Sequence, residues 1–335
     1  MLQKISKEKR KVITQIIPKR ILLANIPTPI QKISFEGKTF FMKRDDFTGI
    51  ETSGNKIRKL EYLLYQAKKE KAGYVFTCGG EQSNHARATA FASASLGMKS
   101  RLFLWGKNSD NADGNLFLDK VLGCEFRFLS KNEFGNANKI MAEEKLILEK
   151  KGEKVFVIPE GGSSPLGIWG YIHAIEEMQA QNIFKKCNAI ITASGSGGTT
   201  AGLLVGALLF KSDLKIFAVN VLYPKDEIKN KILSLAEQTI KEFRLPVKLD
   251  EKRLEILDGY SKEGYKHITN DKLSLIKKFA RSTGIILDPA YTGKAFKAYY
   301  DNFLSARTPK TLFIHTGGLY GVFSKRKKYL LNYDE

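Results

Sequence analysis

The sequence predicts an α/β protein of two units, each a parallel-rich, twisted sheet covered by helices. Three observations carry that expectation. Short β-branched or aromatic runs alternate with stretches of helical period, as in parallel strands joined by crossover helices. The chain has 335 residues, which at roughly 150 residues per domain corresponds to about two domains. Three polar, glycine-rich segments each lie between a candidate strand and a candidate helix, where open parallel sheets gather their ligands.

In chain order, the candidate strands are residues 74–77, 101–104, 155–158, 189–192, 216–219 and 312–314. Between them Leu60, Leu63, Leu64 and Ala67 repeat at helical spacing, and Ile140, Leu146 and Ile147 do so less regularly. The chain shows no internal repeat, low-complexity tract or long Pro/Gly linker, so two domains would be joined by short crossings.

The glycine-rich segments run from Cys78 to His85, from Ala193 to Thr200 and from His315 to Gly318. In the second, Ser194, Gly195, Ser196, Gly197, Gly198, Thr199 and Thr200 let backbone N–H groups approach an anion at the start of a helix. A Walker loop would need Gly-Lys followed by Ser or Thr, which is absent. A dinucleotide fingerprint would need a glycine where Thr200 stands. A phosphate-bearing cofactor of another kind fits better, although a ligand-free strand-to-helix turn has the same pattern.

Gly54-Asn55-Lys56 opens the helix-patterned run from Ile57 to Leu64. A lysine at such a junction is commonly a solvated charge. Screened from water and near another cation, it can instead lower its pKa and act as an amine nucleophile. Pyridoxal phosphate needs both a phosphate cradle and a Schiff-base lysine, so the two features give each other weight.

The overall balance is basic, with a net charge of +20. Residues 1–20 carry seven Lys/Arg against Glu8, and the rest is scattered among Glu and Asp along helix faces. That is a lysine-rich solvated surface rather than a nucleic-acid footprint, and the cluster from Lys325 to Lys328 reads the same way. No apolar run approaches the roughly 20 residues of a membrane span. The amino terminus lacks the roughly 7–15-residue apolar stretch of a secretory signal, so a cytoplasmic location is expected. Cys78, Cys124 and Cys187 lie far apart, which argues against a disulfide framework or a cysteine metal site. No metal is expected, and Asp45 and Asp46 read as ion-pair partners of Arg44 or Lys43. His173 and His267 read as structural.

The sequence resembles the family containing 1-aminocyclopropane-1-carboxylate deaminase and D-cysteine desulfhydrase. The resemblance rests on Lys43-Arg44-Asp45-Asp46 with Gly54 through Glu61, on Gln82-Ser83-Asn84-His85 and on Pro159-Glu160-Gly161-Gly162. Asp288 through Lys294 and His315-Thr316-Gly317-Gly318 complete it, in the same order from about Ile17 to Phe323. It implies a two-domain, tryptophan-synthase-β-like (fold type II) pyridoxal-phosphate enzyme. Residues 61–166 would form the small domain, and residues 1–60 and 167–335 the large cofactor-binding domain. Lys56 would be the Schiff-base lysine and Asn84 would lie beside the cofactor's phenolic oxygen. Ser196, Gly197, Gly198, Thr199 and Thr200 would hold the phosphate with help from Lys59. Ser83, Asn84 and His85 would bind the substrate carboxylate. Tyr265 and Tyr291 would face the substrate, so Lys56, Tyr291, Tyr265 and Ser83 are the expected catalytic residues. The family also implies a small amino-acid substrate and a homodimer.

Thr292 separates the branches of this family. The cyclopropane deaminases carry a glutamate there against the pyridine nitrogen; the D-cysteine desulfhydrases carry threonine, with Thr316 a second hydroxyl near the ring. A neutral partner suits removal of an α-proton followed by loss of a good β-leaving group such as thiolate. The expectation is therefore α,β-elimination of D-cysteine to pyruvate, sulfide and ammonia. The alternatives are cyclopropane deamination and elimination from another β-substituted amino acid such as cysteate. Rival classes are a nicotinamide oxidoreductase and a nucleic-acid binder. Around Tyr265 the family's Gly-x-Pro is lost and Tyr320 adds bulk near the site; Trp169 reads as core filling, or with these changes as one that resizes the pocket.

Overall fold

The computed structural model describes residues 16–210, 213–265, 267–304 and 310–330. Most of the basic amino-terminal segment and Lys266 lie outside the described residues. The strands are β1 (Ile30–Phe35), β2 (Lys38–Arg44), β3 (Tyr74–Gly80), β4 (Lys99–Trp105), β5 (Glu125–Leu129), β6 (Val155–Val157), β7 (Ala189–Ser194), β8 (Lys215–Asn220), β9 (Leu254–Leu257) and β10 (Thr311–His315). The helices used below are α1 (Lys56–Lys69), α2 (Asn84–Ser95), α3 (Gly114–Val121), α4 (Ala137–Glu149), α5 (Trp169–Ala180), α6 (Gly198–Phe210), α7 (Lys225–Glu242), α8 (Asn270–Thr283) and α9 (Thr292–Tyr299).

Two sheets form. One has six strands in the order β1-β2-β10-β7-β8-β9, and the other four in the order β5-β4-β3-β6. All described pairings are parallel except β1 with β2. That hairpin turns through Glu36 and Gly37, both at positive φ (48° and 71°), as a tight turn matched to strand twist requires. Every residue of β7 is buried, the mark of a parallel strand covered on both faces.

All six candidate strands are found, whereas β1, β2, β5 and β9 were not expected. β5, Glu-Phe-Arg-Phe-Leu, mixes charge with aromatic residues at a sheet edge. In α4 the buried residues are Ala137 and Met141, while Leu146 and Ile147 face outward. The irregular spacing thus marked the right helix and two residues of its exposed side.

Two local arrangements set the positions of the site. Helix α1 buries Ile57, Leu60, Leu64 and Ala67 against Val75 of β3 and Ala88 and Ala92 of α2. Behind it, Arg58 donates to both Asp45 and Glu177, and Lys43 pairs with Glu177. Asp45 therefore pairs with Arg58 rather than with its neighbours, while Asp46 takes Arg44 at 2.5 Å. Helix α6 is apolar after its two opening threonines and packs on α5 at Gly202 and Gly206. A Cβ there would lie 2.5 Å from the Ile168 oxygen and 2.8 Å from Ile175 Cγ1. The glycines let α6 approach closely, which fixes the loop that opens it.

Candidate active site

The three glycine-rich segments converge. The carboxyl ends of β3, β7 and β10 and the start of α1 surround a cavity of about 520 Å³. Asn55 ties them together: its side-chain Nδ2 donates to Thr199 Oγ1 at 2.9 Å and its backbone N–H to the Thr316 oxygen at 3.1 Å. Gly54, at φ 112°, makes that approach possible, since a Cβ would meet the Thr316 oxygen at 2.7 Å.

Lys56 begins α1 and lines the cavity, with no hydrogen-bond partner among the described residues. Burial pushes its amine down to about 8, against the opposing charge of Glu160. Lys59, one turn on, is buried and donates to the Gly161 oxygen at 3.0 Å. Burial and the neighbouring Lys56 hold its amine well below the usual lysine range. Two buried amines on one helix face call for an anion between the loops.

The loop that opens α6 meets that demand. Ser196, Gly197 and Thr199 line the cavity, whereas Gly198 and Thr200 lie behind its wall. A Cβ on Gly198 would lie 2.8 Å from Lys59 Nζ, and Thr200 spends its hydroxyl on Ser194 at 3.1 Å. What Gly198 and Thr200 can offer an anion is therefore backbone N–H at the positive end of α6. Gly161, at φ 65°, closes the far side: a Cβ there would lie 2.2 Å from Ser196 Oγ and 3.4 Å from Lys56 Nζ.

Ser83 caps α2, accepting from the Ala86 N–H at 3.2 Å. The next two N–H groups, of Asn84 and His85, have no intrahelical acceptor and can take a carboxylate. Asn84 lines the cavity and accepts from Asn115 Nδ2 at 3.0 Å. His85 turns Nε2 to Thr77 Oγ1 at 2.9 Å, and burial with Lys56 and Lys59 nearby keeps it neutral. Tyr265 and Tyr291 stand edge to face, ring centroids 5.7 Å apart. Tyr265 donates to the Gln82 oxygen at 3.3 Å, and burial holds both phenols protonated.

Thr292 departs from the sequence reading. It is fully buried and away from the cavity lining, with its hydroxyl donating to Asp288 Oδ1 at 2.6 Å and accepting from the Asp288 N–H at 2.7 Å. An aspartate four residues upstream captures it as a helix-start partner. Thr316 is the threonine on the cavity wall. Neither Trp169 nor Tyr320 lines the cavity, and Trp169 fills core as its size suggested. Trp169 packs in the core edge-on to Phe243 at 5.3 Å, and Tyr320 donates to the Ile50 oxygen at 3.0 Å under the Arg87 guanidinium. His173 is structural, 3.5 Å from Arg20 and pushed down to about 4 by burial. Sequence reasoning gave no role to Asn55, Trp105, Glu160 or Tyr223, all of which line the cavity. Only Asn55 and Glu160 sat in recognisable motifs.

Comparison with known proteins agrees with this geometry. Residues 21–317 match the family described as pyridoxal-phosphate dependent enzymes. A Thermotoga maritima protein named "Putative 1-aminocyclopropane-1-carboxylate deaminase" is 42% identical, over 92% of this chain and 99% of its own. The Arabidopsis thaliana "Bifunctional D-cysteine desulfhydrase/1-aminocyclopropane-1-carboxylate deaminase, mitochondrial" is 37% identical over 90% of this chain and 79% of its own. The crystal structure of an ACC deaminase homologue superposes with a TM-score of 0.88 at 36% identity, covering 97% of this chain and 99% of that one. The paired buried amines, the glycine cradle and the free N–H groups fit the cofactor. No helix among the described residues is long and apolar enough to cross a membrane. The chain belongs to the pyridoxal-phosphate-dependent enzymes of fold type II, in the group of lyases and deaminases that includes 1-aminocyclopropane-1-carboxylate deaminase and D-cysteine desulfhydrase.

Proposed function

We propose that this protein eliminates sulfide from D-cysteine. The observation that carries the reading is Thr316: the loop after β10 offers the cavity a neutral hydroxyl, while the nearby carboxylate, Asp288, is occupied by Thr292 and by backbone N–H groups. A neutral partner for the ring nitrogen suits expulsion of a good leaving group better than ring opening. The Arabidopsis relative, whose name joins both activities, and a Salmonella typhi D-cysteine desulfhydrase at 32% identity support the choice of substrates to test.

Pyridoxal phosphate, when bound, supplies the electron sink that makes the α-hydrogen acidic. Lys56 would hold its aldehyde carbon, with Asn84 beside the phenolic oxygen. Lys59, Ser196, Thr199 and the N–H groups from Gly197 to Thr200 would hold its phosphate. Ser83 Oγ and the N–H groups of Asn84 and His85 would fix the substrate carboxylate. The Lys56 amine, with a pKa lowered to about 8, can then take the α-proton. The C–S bond breaks with its electron pair leaving on sulfur, and Tyr291 or Tyr265 can return a proton. Water converts the resulting enamine to pyruvate and ammonia, so D-cysteine and water balance pyruvate, sulfide and ammonia.

In this reading residues 61–166 form the small domain and the two flanks the large one, with the cofactor between them. The protein acts as a homodimer in the cytoplasm. Exposed Phe117 and Val121 on α3, beside Leu319 and Phe323, support self-association, which sedimentation would measure. Product assays with D-cysteine, L-cysteine and 1-aminocyclopropane-1-carboxylate test the chemistry. Sulfide from D-cysteine in excess of the other activities is expected; preferred deamination of the cyclopropane substrate would replace this reading.

A further inference from the structure

Glu160 has no part in the roles above, yet it lines the same cavity as Lys56, Tyr265 and Tyr291. It opens the short turn Glu160–Gly162 between β6 and α5. Gly161 and Gly162 both take positive φ there (65° and 62°), so the turn is set by backbone that other residues rarely adopt. Its carboxylate accepts a hydrogen bond from the Tyr223 hydroxyl at 2.9 Å, across the cavity from the other sheet. Its charge acts on Lys56, Cys78, Tyr265 and Tyr291, which surround the same space.

The other charges on the cavity wall do not offset it. Glu227 and Lys231 pair with each other one turn apart on α7 at 3.5 Å, and the Lys231 ammonium lies over the Tyr223 ring at 4.7 Å. Lys131 is exposed, at the start of a four-residue helical turn. Lys56 and Lys59 are committed to the cofactor's aldehyde and phosphate in the reading above. What remains on the cavity wall is a carboxylate held by the Tyr223 hydroxyl with no ion pair among the described residues.

We propose that Glu160 is a specificity-determining residue that rejects amino acids with an anionic side group and admits those whose β-substituent is neutral or donates a hydrogen bond. The inference rests on the placement of an amino-acid substrate against Lys56 proposed above. It favours thiol, hydroxyl and amide side groups and disfavours sulfonates such as cysteate, which would meet a like charge in a water-poor cavity.

The test separates binding from turnover. Cofactor-loaded protein is titrated with asparagine and aspartate, in both enantiomers, while the cofactor absorption is followed. The two ligands share size and differ by one charge, and neither carries a good leaving group. The wild type is expected to bind the amide at least about ten-fold more tightly than the acid. Glu160→Gln should bring the pair within about two-fold, and Tyr223→Phe should keep the preference. If Glu160→Gln does not fold, Glu160→Ala serves for the same comparison. Equal binding in the wild type, an unchanged ratio in the Glu160 variants, or no spectral response to any amino acid would each overturn the proposal. If D-cysteine yields no sulfide but the Glu160 variant still erases the charge preference, the elimination reading fails and the role of Glu160 stands.

Discussion

Arg58 grips Asp45 with two parallel hydrogen bonds, Nε to Oδ2 at 2.9 Å and Nη2 to Oδ1 at 2.8 Å, two residues after Lys56. Neither side chain reaches the cavity, and both are buried. Their function is to hold the first turn of α1, from which Lys56 and Lys59 project. Removing one member leaves the other charge buried without its main partner, the costly case. Arg58→Met is therefore expected to lower unfolding stability by about 3–5 kcal/mol in urea. The guanidinium also sets an acid limit. Against the burial that opposes it, Arg58 holds the Asp45 carboxyl down to about 2, below its unfolded value near 4. The unfolded chain binds the proton first, so this contribution is complete above about pH 4 and is lost as pH falls toward 2. In Arg58→Met the loss should begin at higher pH, as unfolding midpoints across that range would record.

Lys56 gives a slope of the same sign at the alkaline end. In cofactor-free protein its amine titrates near 8, whereas in the unfolded chain it titrates near 10.4. Between those values the unfolded chain binds more protons, so the contribution of Lys56 to stability rises with pH through the window. The same depression makes its free amine available at pH 8. Trinitrobenzenesulfonate should label Lys56 ahead of surface lysines, with half-maximal rate near pH 8, and cofactor should protect it.

The two threonines should separate cleanly. Thr316→Val removes the hydroxyl on the cavity wall and is expected to alter the bound cofactor's absorption and reduce turnover about ten-fold or more, with little change in melting temperature. Thr292→Val removes the partner of buried Asp288 and should cost about 1–3 kcal/mol of stability. A Thr292→Val protein of normal stability with a shifted cofactor spectrum would restore Thr292 to the cavity.

Gly161→Ala places a methyl where Ser196 Oγ now lies, 2.2 Å away, in a backbone conformation that disfavours alanine. Cofactor affinity is expected to fall by at least ten-fold, measured by absorbance titration, while the circular dichroism of the protein stays unchanged.

Much of this was legible in the sequence because the information is local. The buried parallel strands are continuous apolar runs, and each glycine-rich loop is confined to a few residues after one of them. Ser83, Asn84, Lys56, Ser196, Tyr265, Tyr291 and Thr316 all reach the cavity as their motifs suggested. What stayed hidden depends on competition between partners distant in sequence or on which way a side chain turns. Thr292 reads as a cofactor contact until Asp288 takes its hydroxyl. Asp45 finds Arg58 instead of the adjacent basic residues. In β1 Gln31, Lys32 and Ser34 break the apolar run, and β2 is bounded by Lys38 and Thr39 at one end and Lys43 and Arg44 at the other, so neither shows the apolar continuity that revealed the others.

The central claim, that Lys56 with pyridoxal phosphate eliminates sulfide from D-cysteine, is tested most directly in one cuvette. Absorbance of the cofactor-loaded protein and released sulfide are followed together as D-cysteine is added, for wild type and Lys56→Ala. The wild type should show a cofactor band that changes as sulfide appears, and Lys56→Ala should show neither the lysine-linked band nor sulfide. A lysine-linked band with no sulfide would contradict the substrate, and sulfide release undiminished in Lys56→Ala would contradict the site.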